Sequence, residues 1–296
     1  MCGTFRRMPT APVNGTEINY YDTGGDGRVV VFSHGFRMDH SMFGPQVAAL
    51  SPEYRVVTWD ERGHGGTRSP RPFSYWDSAY DVLGLLDHLG VERAVLAGMS
   101  QGGFLSMRAT LLAPERVLGL ILIDTQAGVD DPAAVAESER RHQVFLEQGI
   151  EPLREGIAAR ILGPGQWDDW YAKWAEAAAR PDANEQATFA FRCLVHRDDI
   201  TDRMGEIACP ALIVHGTADV AIPLAKAEQL RDGLGGATTL AVIDGGTHAA
   251  NLTHPAEVNK HILNFLATLG RERGSGPKRS ATATSRPLQA KRRAHN

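Results

Sequence analysis

Two periodicities alternate along this chain, and that alternation most constrains its fold. Short apolar, β-branched runs bounded by turn residues recur at 18–22, 29–33, 55–59, 94–98, 118–123, 211–215 and 239–243, and such runs predict buried strands. Helix-period segments fall between most of them. The stretch 78–89 puts Val82, Leu85, Leu86 and Leu89 on one face, and 102–112, 224–234 and 255–269 follow later strands. Strand–helix alternation of this kind predicts a mostly parallel sheet covered by helices on both faces. One stretch breaks the rhythm. From 126 to 206 no convincing strand occurs, and Trp167, Trp170, Tyr171, Trp174, Phe189 and Phe191 are spread through a helical pattern punctuated by Pro132, Pro152, Pro164 and Pro181. An all-helical insertion between two strands is expected there.

The 296 residues are 43% apolar and 22% charged, enough for a sizeable core. The net charge of −4 hides an asymmetry: residues 271–296 carry eight Lys/Arg against one acid, which leaves about −11 on residues 1–270. That basic tail has almost no large apolar side chains and is expected to be disordered. The acidic body suggests no nucleic-acid partner. No apolar run is long enough to span a membrane, and no signal-peptide pattern opens the chain, so a cytoplasmic location is expected. Three widely spaced cysteines, Cys2, Cys193 and Cys209, make no disulfide framework and no metal spacing. No HExxH, CxxC or paired-carboxylate pattern points to a metal, and no cofactor is implied.

The most informative local pattern is Gly98-Met99-Ser100-Gln101-Gly102. It sits between a predicted strand end and a predicted helix start. A serine on so tight a turn is held in a strained conformation, with small residues two positions either side, and its side chain stands over the carboxyl end of the sheet. The N–H of Gln101 lies at the helix start, where negative charge is favoured. A glycine-rich turn with an incidental serine fits the same residues. A dinucleotide-binding fingerprint fits less well, because Ser100 replaces its central glycine and the strand comes late in the chain.

Five motifs then occur in order: Val29-Val30-Val31-Phe32-Ser33-His34-Gly35-Phe36, Asp60-Glu61-Arg62-Gly63-His64-Gly65, Gly98-Met99-Ser100-Gln101-Gly102-Gly103, Val214-His215-Gly216-Thr217-Ala218-Asp219, and Gly245-Gly246-Thr247-His248. Over residues 15–270 they resemble the successive signatures of the α/β-hydrolase superfamily, in particular its capped, serine-nucleophile, esterase- and lactonase-like branch. The resemblance implies a core of residues 1–125 and 207–270 with a mostly parallel sheet flanked by helices. It also implies a helical cap of residues 126–206 inserted after the sixth strand. By the same resemblance Ser100 is the nucleophile, His248 the general base and Asp219 the acid that orients it. Asp124, at the end of the strand after the nucleophile, is a rival acid, since some members place it there. The backbone N–H groups of Phe36 and Gln101 would form the oxyanion hole. His34 and His215 fit buried structural roles, His254 a surface or capping role, and the Asp60–Gly65 turn a structural one.

A cap over the sheet edge would place Gly35, Met38, Met99, Trp167 and Trp170, with Phe36 and Met42 nearby, around a largely apolar substrate pocket. Helical spacing of Trp167, Trp170 and Trp174 equally fits a buried core face. The expected chemistry is cofactor-free hydrolysis of a carboxylic ester or lactone of a small, largely apolar substrate through an acyl-enzyme. A perhydrolase (haloperoxidase-like) or carbon–carbon bond hydrolase activity would use the same scaffold, as would a non-catalytic ligand receptor, which loss of a triad residue would have favoured. A homo-oligomer is compatible with the sequence.

Overall fold

The computed structural model describes residues 8–269; Cys2 and the basic tail lie outside the described residues. An eight-stranded sheet runs β1 (Thr10–Val13), β2 (Thr16–Asp22), β3 (Val29–Ser33), β4 (Arg55–Trp59), β5 (Ala94–Met99), β6 (Val117–Ile123), β7 (Ala211–Gly216) and β8 (Thr238–Ile243), in spatial order β1-β2-β4-β3-β5-β6-β7-β8. The first two strands form an antiparallel hairpin joined antiparallel to β4, and every other pairing is parallel. Helices α1 (Gly44–Leu50), α2 (Tyr75–His88) and α3 (Gln101–Leu112) follow β3, β4 and β5. Four more, α4 (Pro132–Gln148), α5 (Arg154–Ile161), α6 (Asp168–Ala178) and α7 (Ala183–Val195), lie between β6 and β7. Helix α8 (Leu224–Gly233) follows β7, and α9 (Ala250–Thr253) and α10 (Pro255–Thr268) follow β8.

The strands are near-continuous apolar runs because both faces are covered. Their alternate residues feed two cores: Val31, Val57, Leu96 and Leu120 pack on one side, and Val30, Phe32, Val95 and Ile121 on the other. No helix among the described residues is long and apolar enough to cross a membrane.

Two elements differ from the sequence reading. The strand β1 was not expected, yet Asn14 and Gly15 adopt φ of 48° and 78° in the two-residue turn of the β1–β2 hairpin. Asn-Gly is the residue pair such a turn favours. Helix α2 begins at Tyr75 rather than 78, because Ser74 and Asp77 form a reciprocal capping box.

The Asp60–Gly65 turn anchors this half of the molecule. Arg62 is buried and donates to both Asp81 oxygens from Nε and Nη2, at 2.5 and 2.8 Å, tying the turn to α2. Its Nη2 also donates to Asn14 O at 3.0 Å, reaching the first hairpin. The neighbouring Glu61 is buried as well. Neither its carboxyl oxygens nor the Gln101 amide nitrogen makes a well-formed hydrogen bond among the described residues. Burial raises the Glu61 carboxyl well above its ordinary value near 4.5, against the weaker pull of Gln101.

Removing one partner of a buried pair strands the other charge. Asp81→Ala is therefore expected to cost about 3–5 kcal/mol in urea denaturation; a loss below about 1 kcal/mol would contradict the anchoring role. Glu61 holds its proton when folded but releases it when unfolded above its ordinary value, so wild-type stability falls as pH rises through that range. The melting-temperature gain of Glu61→Gln over wild type should be larger at pH 8 than at pH 5, and equal gains would refute a neutral buried Glu61.

Candidate active site

Ser100 occupies the turn between β5 and α3 with φ 51° and ψ −114°. This left-handed conformation is costly for a side chain-bearing residue and persists only where neighbours over-determine it. Here they do. Ser100 N–H donates to Ile123 O at 2.9 Å. Its carbonyl accepts from Gly103 N–H at 2.9 Å and Thr125 Oγ1 at 2.7 Å. The flanking glycines are required by close approach: a Cβ at Gly98 would sit 2.1 Å from Gly102, and one at Gly102 would sit 1.9 Å from Ser33 O.

A cavity of about 140 Å³ opens beside the turn. Ser100, His248, Gly35, Phe36, Met38 and Met99 all line it, together with Phe104, Ile157, Phe191 and Ile222. This is small beside the roughly 300–1,000 Å³ of most ligand clefts. The backbone N–H groups of Phe36 and Gln101 donate no hydrogen bond among the described residues. Gln101 heads α3, so its N–H also lies at the positive end of the helix.

His248 is held from behind. Its Nδ1 lies 2.8 Å from Asp219 Oδ2. A carboxylate only accepts, so Nδ1 carries a proton, and in the neutral ring Nε2 keeps a free lone pair. Asp219 Oδ1 accepts from the N–H groups of Ala221 and Ile222 at 2.7 and 2.9 Å. Burial favours protonation of Asp219, but His248 and these two N–H groups outweigh it and hold the carboxyl below its ordinary range. Asp124 is placed differently. It does not reach His248; its two oxygens accept from Gly216 N–H and Ala250 N–H at 2.8 and 3.0 Å, stitching β7 to α9. Burial and the charge of Asp219 raise its carboxyl well above the ordinary range.

The other histidines have their own partners. His34 is buried, with Nδ1 2.8 Å from Gly35 O and Nε2 accepting from Glu61 N–H at 3.0 Å. His215 Nε2 lies 2.9 Å from Ile222 O, and His254 Nδ1 lies 3.0 Å from Thr253 Oγ1. Two groupings, Asp39–His40–Asp60 and Asp124–His215–Asp219, bring potential ligand atoms within 4.8 Å of one another. Their acids are already committed, Asp39 to Ser41 and Lys173, Asp60 to His40, Asn19 and Gly66, and Asp124 and Asp219 as described.

Neither Trp167 nor Trp170 lines the cavity beside Ser100. Trp167 lines neither large cavity and turns its Nε1 to Gly163 O at 3.0 Å. Trp170 packs 6.4 Å from Trp174, centroid to centroid, and borders a neighbouring cavity of about 330 Å³. Helical spacing puts Trp170 and Trp174 on the inner face of α6, where both are buried core. Met42 is also fully buried and lines neither cavity. The sequence reading missed Arg37, Arg141, Arg160 and Arg197, all of which border the Ser100 cavity. For Arg37 a signal existed, its place directly after Phe36. The other three lie on or beside insertion helices, whose facing is set by tertiary packing.

Residues 28–151 match the family described as alpha/beta hydrolase fold, and residues 191–277 that described as TAP-like protein. The chain is 31% identical over 276 residues to a non-heme chloroperoxidase of Streptomyces lividans, covering 86% of this chain and 97% of that one. It is 27% identical over 262 residues to 3-oxoadipate enol-lactonase 2 of Acinetobacter baylyi (strain ATCC 33305 / BD413 / ADP1), covering 87% and 96%. The crystal structure of the enol-lactonase from Burkholderia xenovorans LB400 superposes with a TM-score of 0.74 at 28% identity, covering 88% of this chain and 100% of that one. With relatives aligned over nearly their whole length and a mostly parallel sheet, the chain belongs to the α/β-hydrolase family and is an enzyme of the hydrolase class.

Proposed function

We propose that this enzyme hydrolyses a carboxylic ester or lactone of a small molecule through an acyl-enzyme on Ser100. The observation that carries this reading is the 2.8 Å bond from His248 to Asp219 at the cavity that Ser100 lines. With Nδ1 engaged, Nε2 of His248 is the base available to the serine hydroxyl. Ser100 Oγ attacks the acyl carbonyl as His248 takes its proton, and the tetrahedral oxyanion is received by the N–H groups of Phe36 and Gln101. His248⁺, stabilised by Asp219, then protonates the departing alkoxide. Water repeats the sequence on the acyl-enzyme and frees the acid. No hydrogen bond joins Ser100 to His248 among the described residues; in this chemistry that contact tightens when substrate binds.

The enol-lactonase names among the relatives support the ester or lactone substrate class. The chloroperoxidase relative favours a second reading, perhydrolysis, in which hydrogen peroxide replaces water as the acyl acceptor. Peracid formation from acetate and peroxide would identify it.

Ser100→Ala is expected to lower kcat on p-nitrophenyl butyrate by about 10⁴-fold or more and to abolish labelling by a fluorophosphonate probe. Wild-type protein that neither turns over the ester nor takes the label would overturn the serine mechanism. Asp219→Asn should reduce kcat by at least about 10³-fold, as expected when the histidine loses its orienting acid, and by more than Asp124→Asn does. A larger loss at Asp124 would reassign the acid.

A further inference from the structure

Among the described residues, Arg37 is the one arginine at the Ser100 cavity that donates no hydrogen bond and meets no carboxylate. Its neighbours there are served. Arg197 forms a two-pronged pair with Asp130 at 3.0 and 3.2 Å, Arg141 pairs with Glu137 at 3.0 Å, and Arg160 reaches backbone carbonyls of Val220 and Ala221 at 3.4 Å. Among the described residues the Arg37 guanidinium meets no carboxylate and donates no hydrogen bond, and only the rings of Phe36 and Phe145, at 5.3 and 4.8 Å, attend it. Ring faces attract a cation but do not satisfy five N–H donors. Burial, reinforced by the charge of Arg141, lowers its pKa to about 10, which still leaves it protonated at neutral pH.

The backbone that delivers this cation is fixed and strained. Arg37 has φ 63°. Its carbonyl accepts from Trp174 Nε1 at 2.8 Å, and Met38 N–H closes the turn onto Gly35 O at 3.0 Å. The residue follows directly on Phe36, whose backbone N–H donates no hydrogen bond among the described residues. Arg37 also lines the neighbouring cavity of about 330 Å³, where Arg68, Lys173 and Arg180 are each paired, with Asp182, Asp39 and Glu176. The unmatched positive charge is thus confined to the junction of the two cavities. Arg37 is half-buried, and its guanidinium faces two cavities with its N–H donors left to whatever enters them.

We infer that the substrate carries a carboxylate besides its scissile acyl group, and that Arg37 binds it. A guanidinium fork matches a carboxylate with two parallel hydrogen bonds and fixes orientation as well as charge. The catalytic arm of this inference rests on the Ser100 reading; the binding arm does not.

The turnover test compares p-nitrophenyl half-esters of succinate, glutarate and adipate, and O-butyrylglycolate for an anion on the alcohol side, each against its neutral isostere. At the best reach the anionic ester should show about 10- to 100-fold higher kcat/KM, the size of a charge-assisted hydrogen bond. Arg37→Leu should bring that ratio to about one, and Arg37→Lys should retain part of it. A wild-type ratio of one or less throughout the series, or a ratio unchanged in Arg37→Leu, overturns the inference. Calorimetry on the wild-type protein with glutarate and with neutral glutaramide tests the site without turnover or a variant. Glutarate alone should bind, and equal or absent binding overturns the inference. If Ser100→Ala hydrolysed both esters like wild type while glutarate still bound, the serine mechanism would fall and the anion site would stand.

Discussion

The left-handed backbone at Ser100 is the constraint on which the rest of the architecture turns. A residue at φ 51° holds only if its carbonyl and N–H are pinned and nothing crowds the crossing of β5 and α3. The sheet does the pinning through Ile123 at the end of β6, and Thr125 just beyond it closes the other side. The absence of side chains at Gly98 and Gly102 lets α3 approach β3 to van der Waals contact. Parallel order β3-β5-β6 is therefore more than scaffolding: each neighbour of β5 supplies one contact that a differently ordered sheet would lack.

Left-handed geometry recurs at Arg37 and Asp124, so three side chain-bearing residues beyond the ends of β3, β5 and β6 take a conformation that most residues avoid. Asp124 uses it to turn its carboxyl onto Gly216 and Ala250, joining the strand that leads to Asp219 with the helix that follows His248. The 2.8 Å contact of Asp219 with His248 is thereby supported by an acid that does not itself touch the histidine. Two carboxyls at neighbouring strand ends thus do different work.

Much of this was legible in the sequence, for physical reasons. Buried strands announce themselves because both faces are apolar, and the Ser100 turn because its glycines cannot be replaced. Asp219 and His248 could be placed because they follow directly on strand ends, whose positions the apolar runs fix. The hairpin of β1 and β2 was missed although Asn14-Gly15 is a strong turn signal, because four residues are too few for a visible alternation. The insertion was harder. Its helices can be read, but which face of α6 meets the sheet cannot, since Trp167, Trp170 and Trp174 look alike until packing assigns two of them to the core. The charge state of Glu61 was likewise hidden, because an acid beside an arginine reads as exposed or paired, and its burial follows only from the path of the turn.

The hydrogen bond from Trp174 to the carbonyl of Arg37 has a consequence for divergence within the family. It fastens a helix of the insertion to the same short turn that presents the Phe36 N–H. Insertions are the usual place for a lineage to change what an enzyme accepts, while the sheet keeps what it does. Here the two are mechanically joined: α6 borders the larger of the two cavities, and any shift of α6 is passed through Trp174 and the Arg37 carbonyl to the Phe36 turn, which lines both.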